Sequence, residues 1–402
     1  MTVQAPRCGL PRLILSRIRP SRVQSPAYNG HLMKKLLAGA LLALLSSVAT
    51  AQNAILIGQS VPLSGANKDL GVDIRDGALA YFRKVNDAGG VNGRKIELQT
   101  LDDGNVVQRA GENTQKLIDE SGVFALFGYA SATLSRPALP HAEKAKVPFL
   151  SPFTGADPMR VYNRYVYNMR ASYADELEKI VDHFVPLSVK RFSIVYYDDV
   201  VGRENFTAVE RALKKRSLAP VSVGVFKDRA KPDIDAGMKE VLKGTPEVVI
   251  FTTLYKATAD SIKMARKMGS NAFMATNSFP GANQLAKELG KEGAGVIVAT
   301  VVPPYSRMSL PVVNEYRAAM EKYVARKDFS FTSIEAFVAA KVMVEALRRS
   351  GAKLTRESFM QALDGMGGYD TGGYTVGFGP KDHNGSSFVE LTIIGKDGTF
   401  KF

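Results

Sequence analysis

Short apolar runs alternate along this chain with longer stretches whose apolar positions recur at helical spacing. The runs at Ile55–Val61, Ile96–Leu101, Phe124–Phe127, Phe192–Tyr197, Val221–Phe226, Val248–Thr253 and Val296–Val301 predict strands. Most lack polar alternation, as strands do when covered on both faces. Between them, Ile74, Ala78, Tyr81 and Val85 recur at steps of four, three and four, and Phe337, Ala340, Val344 and Leu347 at three, four and three. That spacing places side chains on one face of a helix. Strands alternating with helices predict βαβ units, hence mostly parallel sheets with helices on both sides. Turn residues punctuate the pattern. Ala88-Gly89-Gly90 ends the first helix, Asn92-Gly93 makes a tight turn into the next strand, and Pro303-Pro304 breaks the chain after Val301. The glycine-rich stretch Gly365–Gly379 reads as an irregular connection, and no repeat of solenoid or propeller period is present.

The N-terminal segment has a different pattern. Met33-Lys34-Lys35 precedes the apolar run Leu36–Leu45, and Ala49-Thr50-Ala51 precedes Gln52. A positive start, a short apolar stretch and a small-residue box are the parts of a cleaved secretory signal. The run is shorter than the ~20 residues a membrane span needs. Residues 33–51 are therefore expected to be a signal peptide and the mature chain to be exported to the periplasm. Residues 1–32 carry arginines and no acids; they read as an unstructured extension from an upstream start, or else as an unusually long leader.

This leader changes the charge and cysteine arithmetic. Seven of the 53 basic residues and none of the 39 acidic ones lie in residues 1–51, so half of the formal +14 leaves with it. The remaining charges are interspersed, without the basic clusters and stacking aromatics of a nucleic-acid surface. Cys8, the single cysteine, also lies in the extension. No disulfide, thiolate nucleophile, cysteine metal ligand or lipid-anchoring cysteine is expected after residue 51. About 350 residues then exceed what one core usually serves, so two lobes are expected.

Motifs for catalysis are absent from the sequence. It has neither Gly-x-x-x-x-Gly-Lys-Ser/Thr nor a Gly-x-Gly-x-x-Gly between strand and helix, no Gly-x-Ser-x-Gly and no His-Glu-x-x-His. His141, His183 and His383 lie far apart and read as surface or core residues. Asp102-Asp103 and Asp198-Asp199 are neighbours at strand ends, where successive side chains point to opposite faces; they read as caps or hinge residues, not acid/base pairs. An enzyme is not expected, nor a metal or cofactor.

In open parallel sheets ligands bind beyond the carboxyl ends of the strands. After Phe124–Phe127 comes Gly128-Tyr129-Ala130-Ser131-Ala132-Thr133, with Ser131 or Thr133 placed to cap a helix whose free N–H groups favour a carboxylate. After Val147–Leu150 comes Ser151-Pro152-Phe153-Thr154-Gly155, a second loop with backbone donors and a hydroxyl.

At this point the chain resembles a known family, the type I periplasmic substrate-binding proteins of ATP-binding-cassette transport, leucine/isoleucine/valine-binding branch. The resemblance rests on Val61–Gly65, Val85–Arg94, Asp102-Asp103, Gly128–Thr133, Val147–Pro152 and Ser333–Phe337, in order along nearly all of the mature chain. Val85-Asn86-Asp87-Ala88-Gly89-Gly90-Val91-Asn92-Gly93-Arg94 is the strongest match. The resemblance implies an α/β fold of two Rossmann-like lobes joined by three crossovers, near residues 172, 302 and 375, with a cleft between them. Lobe one would hold residues 53–172 with 303–375, and lobe two residues 173–302 with 376–402. It implies ligand contacts at Ser131, Thr133, Phe153, Thr154 and Gly155, an aromatic contact at Tyr255, and further contacts at Leu70, Asn277 and Ser278. Where the amino-acid branch carries an acid for the ligand's ammonium, this chain has Asn277-Ser278. Leu70 stands for an aromatic before Gly71, and Val201 for a tyrosine before Gly202. The implied function is capture of a small carboxylate-bearing solute, a branched-chain amino acid or related organic or aromatic acid, and delivery by a monomer to a membrane permease. A sensor of the same fold is the alternative.

Overall fold

The computed structural model describes residues 54–402 apart from Ala66 and Ala230. The signal peptide expected at 33–51 and the extension at 1–32 lie outside the described residues. Two lobes form, each around its own sheet. The first sheet is parallel throughout, in the order β2-β1-β3-β4-β5, with β1 at Ile55–Val61, β2 at Ile96–Asp102, β3 at Ala125–Phe127, β4 at Phe149–Leu150 and β5 at Val166–Tyr167. Central β3 is buried at every position, whereas edge strand β2 buries only Ile96. The second sheet contains β6 at Phe192–Tyr197, β7 at Pro220–Phe226, β8 at Val248–Phe251, β9 at Phe273–Thr276 and β10 at Ile297–Thr300, again parallel. β11 (Tyr369–Asp370) and β12 (Thr375–Val376) form a separate antiparallel pair. β13 (Glu390–Ile394) and β14 (Phe400–Lys401) then extend the second sheet antiparallel, giving β14-β13-β10-β9-β8-β6-β7.

The chain passes between the lobes three times. After β5 it enters the second sheet. After β10 it returns, because the helices Pro311–Ala319 and Phe331–Arg349 pack on the helix Lys68–Asp87 of the first lobe. Tyr81 and Phe337 meet edge to face at 5.0 Å in that interface. Glu315 there receives both Lys84 and Lys341. β13 finally returns the chain to the second sheet.

Local chemistry explains the boundaries that matter for function. Ser172 and Asp175 form a capping box: the Asp175 amide donates to Ser172 Oγ at 3.0 Å and the Ser172 amide to Asp175 Oδ2 at 3.1 Å. This fixes the start of the helix Tyr173–Phe184 immediately after the first passage. Asp199 caps the helix Val200–Lys214 by accepting from the Gly202 amide at 2.9 Å. Asp102 accepts from the Leu63, Ser64 and Gly104 amides, and Asp103 from Ser60 Oγ and the Asn105 amide. These bonds hold the loops beyond β1 and β2 together, in the structural role expected for adjacent acids at a strand end. Asn92 and Gly93 both take positive φ, 50° and 78°, as a type I′ turn demands.

Several elements differ from the expectation. The stretch 365–379 contains the β11–β12 hairpin, because Gly372 and Gly373 adopt φ of 116° and 93° and let the chain reverse. β5, β9, β13 and β14 were not expected; β5 and β14 have two residues each, and β13 alternates exposed and buried positions between β14 and β10. His383 is a satisfied core residue: Nδ1 lies 2.9 Å from the Asn163 and Val166 carbonyls, Nε2 3.1 Å from Asp364, and the ring stacks on Tyr167. No helix of the described residues is long and apolar enough to cross a membrane.

Candidate functional site

A cavity of about 220 Å³ lies where the carboxyl ends of both sheets face each other. From the first lobe it is walled by Pro62 beyond β1, Leu70 and Ile74 on the first helix, Asn105 and Val107 beyond β2, Ala130, Ser131, Thr133 and Leu134 beyond β3, Phe153 beyond β4 and Arg170 beyond β5. From the second lobe come Arg229 beyond β7, Leu254 beyond β8, and Ser278 and Phe279 beyond β9. Every one of these strand ends obeys the carboxyl-end rule for parallel sheets.

Five of the expected positions, Leu70, Ser131, Thr133, Phe153 and Ser278, meet at this cavity. The other four stand behind its wall. Thr154 is 1 % exposed; its amide donates to the Pro152 carbonyl, and its hydroxyl accepts from the Ala156 amide at 3.1 Å. Gly155 packs against Tyr173 so closely that a Cβ would sit 2.7 Å from the Tyr173 nitrogen. Tyr255 opens the helix Tyr255–Lys267 and is buried, while its neighbour Leu254 reaches the cavity. Asn277 is fully buried, and neither its Nδ2 nor its Oδ1 has a hydrogen-bond partner.

The two loops are joined by a parallel bridge between Ala130 and Phe153. The Ser131 amide donates to the Phe153 carbonyl at 3.2 Å and the Phe153 amide to the Tyr129 carbonyl at 2.8 Å. Ser131 sits at φ 63°, a left-handed conformation that is strained for a non-glycine residue. Its Oγ accepts from the Leu134 amide at 3.4 Å, although the cap position of this five-residue helix is Ala130 and carries no side-chain cap. Its hydroxyl hydrogen stays directed by whatever acceptor the cavity holds, because a hydroxyl both donates and accepts.

Two cations in the wall escaped the sequence reading. Arg170 bonds Glu335 at both ends of one guanidinium edge, Nε to Oε1 at 2.7 Å and Nη2 to Oε2 at 2.6 Å. Arg229 uses the same edge on Asp199 and lies over Tyr197 at 4.7 Å and Phe279 at 5.8 Å. In both residues the Nη1 side stays outside these pairs. No carboxylate lines the cavity. A signal was present only for Arg229, which follows the expected strand Val221–Phe226 by three positions; Arg170 follows β5 by three, a strand that the sequence did not announce.

Glu176 lies just behind the wall. It accepts from the Ser278 amide at 2.5 Å and the Ser278 hydroxyl at 2.8 Å, and so fixes the rotamer of a cavity residue. Burial pushes its carboxyl up to about 7, against the pull of Arg170 and of the Ser278 donors. A carboxyl raised on folding contributes most below its unfolded value near 4.5 and loses that contribution as pH climbs through about 7. A shift of this size corresponds to roughly 3 kcal/mol. Wild-type melting temperature should therefore fall, relative to Glu176→Gln, between these two pH values. Parallel melting curves of the two proteins across that window would refute the assignment.

This geometry defines a class: a two-lobed α/β protein with a small cavity between the strand-end loops of its lobes. Among the described residues no cluster of His, Cys, Asp and Glu suited to a metal ion is found. Residues 54–399 match the family of periplasmic binding proteins, and the chain belongs to that family. A possible leucine/isoleucine/valine-binding protein from Rhodopirellula baltica SH 1 superposes with a TM-score of 0.82 at 31% identity, covering 88% of this chain and 96% of that one. An amino acid binding protein of Pseudomonas aeruginosa is 26% identical over 296 residues, 71% of this chain and 78% of its own length. Leu/Ile/Val-binding protein homolog 7 of Brucella suis biovar 1 is 25% identical over 336 residues, 79% of this chain and 82% of its own. The protein is thus a periplasmic ligand-binding protein of the Leu/Ile/Val-binding family, a family of binding proteins rather than enzymes.

Proposed function

We propose that this protein captures a small carboxylate-bearing solute between its lobes and delivers it to an ATP-binding-cassette permease in the inner membrane, after processing behind Ala51. The observation that carries this reading is the charge of the wall: Arg170 and Arg229 are its charged side chains, and no acid faces the cavity. An anion gains from both guanidiniums and from the Ser131 hydroxyl. A ligand ammonium finds no carboxylate in the wall: Glu335 and Asp199 are taken by Arg170 and Arg229, and Glu176 is turned to Ser278 with its carboxyl pushed up to about 7 by burial. Simple carboxylic acids therefore compete well with amino acids. In this reading the lobes are residues 53–172 with 303–375 and residues 173–302 with 376–402. Closure turns on the three passages between them, and the ligand stabilises the closed state because both lobes touch it. Favouring closure 10⁴-fold takes about 5.5 kcal/mol of differential binding.

Calorimetry with a carboxylic acid, its amide and the corresponding α-amino acid tests the proposal. The acid should bind tightest. Ser131→Ala should weaken it roughly tenfold or more, since a hydrogen bond to a charged group is worth about 1.5–3 kcal/mol. Equal affinity for acid and amide, in wild type and variant alike, would place the site or its charge preference elsewhere.

A further inference from the structure

The cavity does not end at its polar wall. Val107, Thr133 and Arg229 also border a neighbouring chamber of about 490 Å³ between the two lobes. That chamber is walled mainly by apolar side chains, among them Ala132, Pro137 and Pro158 from the first lobe and Val200 and Val201 from the second. Val107 and Val200, on the first turns of two facing helices, leave 45 % and 52 % of their surface exposed at its edge. Asp199, the acid in this wall, is already held by Arg229 and by the Gly202 amide. Arg229 is itself pinned between Asp199 and the faces of Tyr197 and Phe279, so the boundary between the two spaces is a fixed post and not a closed door.

Size points the same way. Pockets for small molecules usually measure about 300–1,000 Å³. The inner cavity of about 220 Å³ falls short of that range, and the two spaces together lie within it. We propose that the ligand is a carboxylic acid with an elongated apolar body, longer than a branched-chain amino acid, whose far end passes Val107, Thr133 and Arg229 into the second chamber. The proposal rests on the reading above that an anion is held at the inner end. The occupant follows from continuity: three wall residues are common to both spaces, and a hydrocarbon or ring covers the exposed valines while Arg136, the other cation in this wall, stays open to solvent.

The test is a calorimetric series of straight-chain monocarboxylates from butyrate to decanoate, on the mature wild type and on Val200→Trp and Val201→Trp. Both positions line the second chamber and neither lines the inner cavity. In wild type, affinity should rise roughly fourfold per methylene along the whole series, the factor expected for each buried methylene. In both variants short acids should bind as in wild type, and the gain should stop once the inner cavity is full. Wild-type affinity that stops rising at butyrate length, or a gain that persists in both plugged variants, overturns the proposal and leaves the carboxylate reading intact. Failure of every acid in the series, with amides binding instead, overturns the carboxylate reading itself.

Discussion

In a Glu335→Gln variant the ligand-free protein should lose about 3–5 kcal/mol of stability, the usual cost of leaving a buried charge without its partner. Arg170 and Glu335 are 8 % and 3 % exposed, and they meet through two parallel hydrogen bonds of 2.7 and 2.6 Å. Bidentate geometry of this kind is the strong form of the contact. Glutamine keeps the shape but turns an amide donor toward a guanidinium that has only donors to offer. The cation cannot discharge itself, since arginine stays protonated in proteins. Arg170 faces the cavity and packs 5.8 Å from the Phe153 ring, so a bound anion can stand in for the missing carboxylate. A carboxylate ligand should therefore stabilise Glu335→Gln more than it stabilises wild type. Replacing both partners, Arg170→Met with Glu335→Leu, should recover most of the stability and lose the response to anions. Urea unfolding with and without ligand reads all three effects. A loss under about 1 kcal/mol in Glu335→Gln would show that the pair is not the buried linkage described here.

Gly77→Ala should destabilise the protein by about 3 kcal/mol, at the upper end of what overpacking usually costs. Ala is the better helix former by about 1 kcal/mol, so propensity alone predicts the opposite sign. Geometry decides. A Cβ at Gly77 would lie 2.1 Å from the Ser333 carbonyl oxygen, which is backbone on the facing helix Phe331–Arg349. One of the two helices must move. That helix also carries Glu335 and the Ser333 hydroxyl, which lies 2.6 Å from the Tyr316 hydroxyl. The shift therefore reaches the cavity wall, and ligand affinity should fall along with stability. Gly111→Ala is the control. It lies in the helix Val107–Gln115, and its nearest contact would be an ordinary 3.4 Å from Pro137 Cβ, so this change should raise stability slightly. Denaturation midpoints of the two variants should move in opposite directions.

Much of the fold was legible in the sequence because its signal is local. β1 and β6 begin and end at the expected residues, since apolar runs bounded by turn residues mark buried strands. β5 was missed because Val166–Tyr167 is two residues long, and β9 because Phe273–Thr276 has no apolar run to distinguish it. The site divides in the same way. The loops at Ser131 and Phe153 follow strands that can be seen, so the carboxyl-end rule found them. Arg170 and Phe279 follow the two strands that could not be seen. Arg229 follows one that could, and was passed over because a lone arginine after a strand has no meaning until Asp199, Tyr197 and Phe279 gather around it. Tyr255 and Leu254 show how finely a helix start divides neighbours: Leu254 lines the cavity, and Tyr255, one step on, is not among its lining residues.

The late return of the chain to each lobe also sets the order in which the protein can fold. The first helix is held by Ser330 Oγ on Asp73, a bond across 257 positions, and β10 waits for β13 some ninety residues later, as the bond from Thr300 to the Glu390 carbonyl records. Neither lobe owns a continuous stretch of sequence, so neither can close while the C-terminal part is still being made. Closing such long loops is slow, because the entropy is spent before the contacts reward it. The first sheet has all its strands by β5 but waits for the helix Phe331–Arg349 to cover it, and the second sheet lacks β13 and β14 until the end of the chain, so the cleft is finished only late in synthesis.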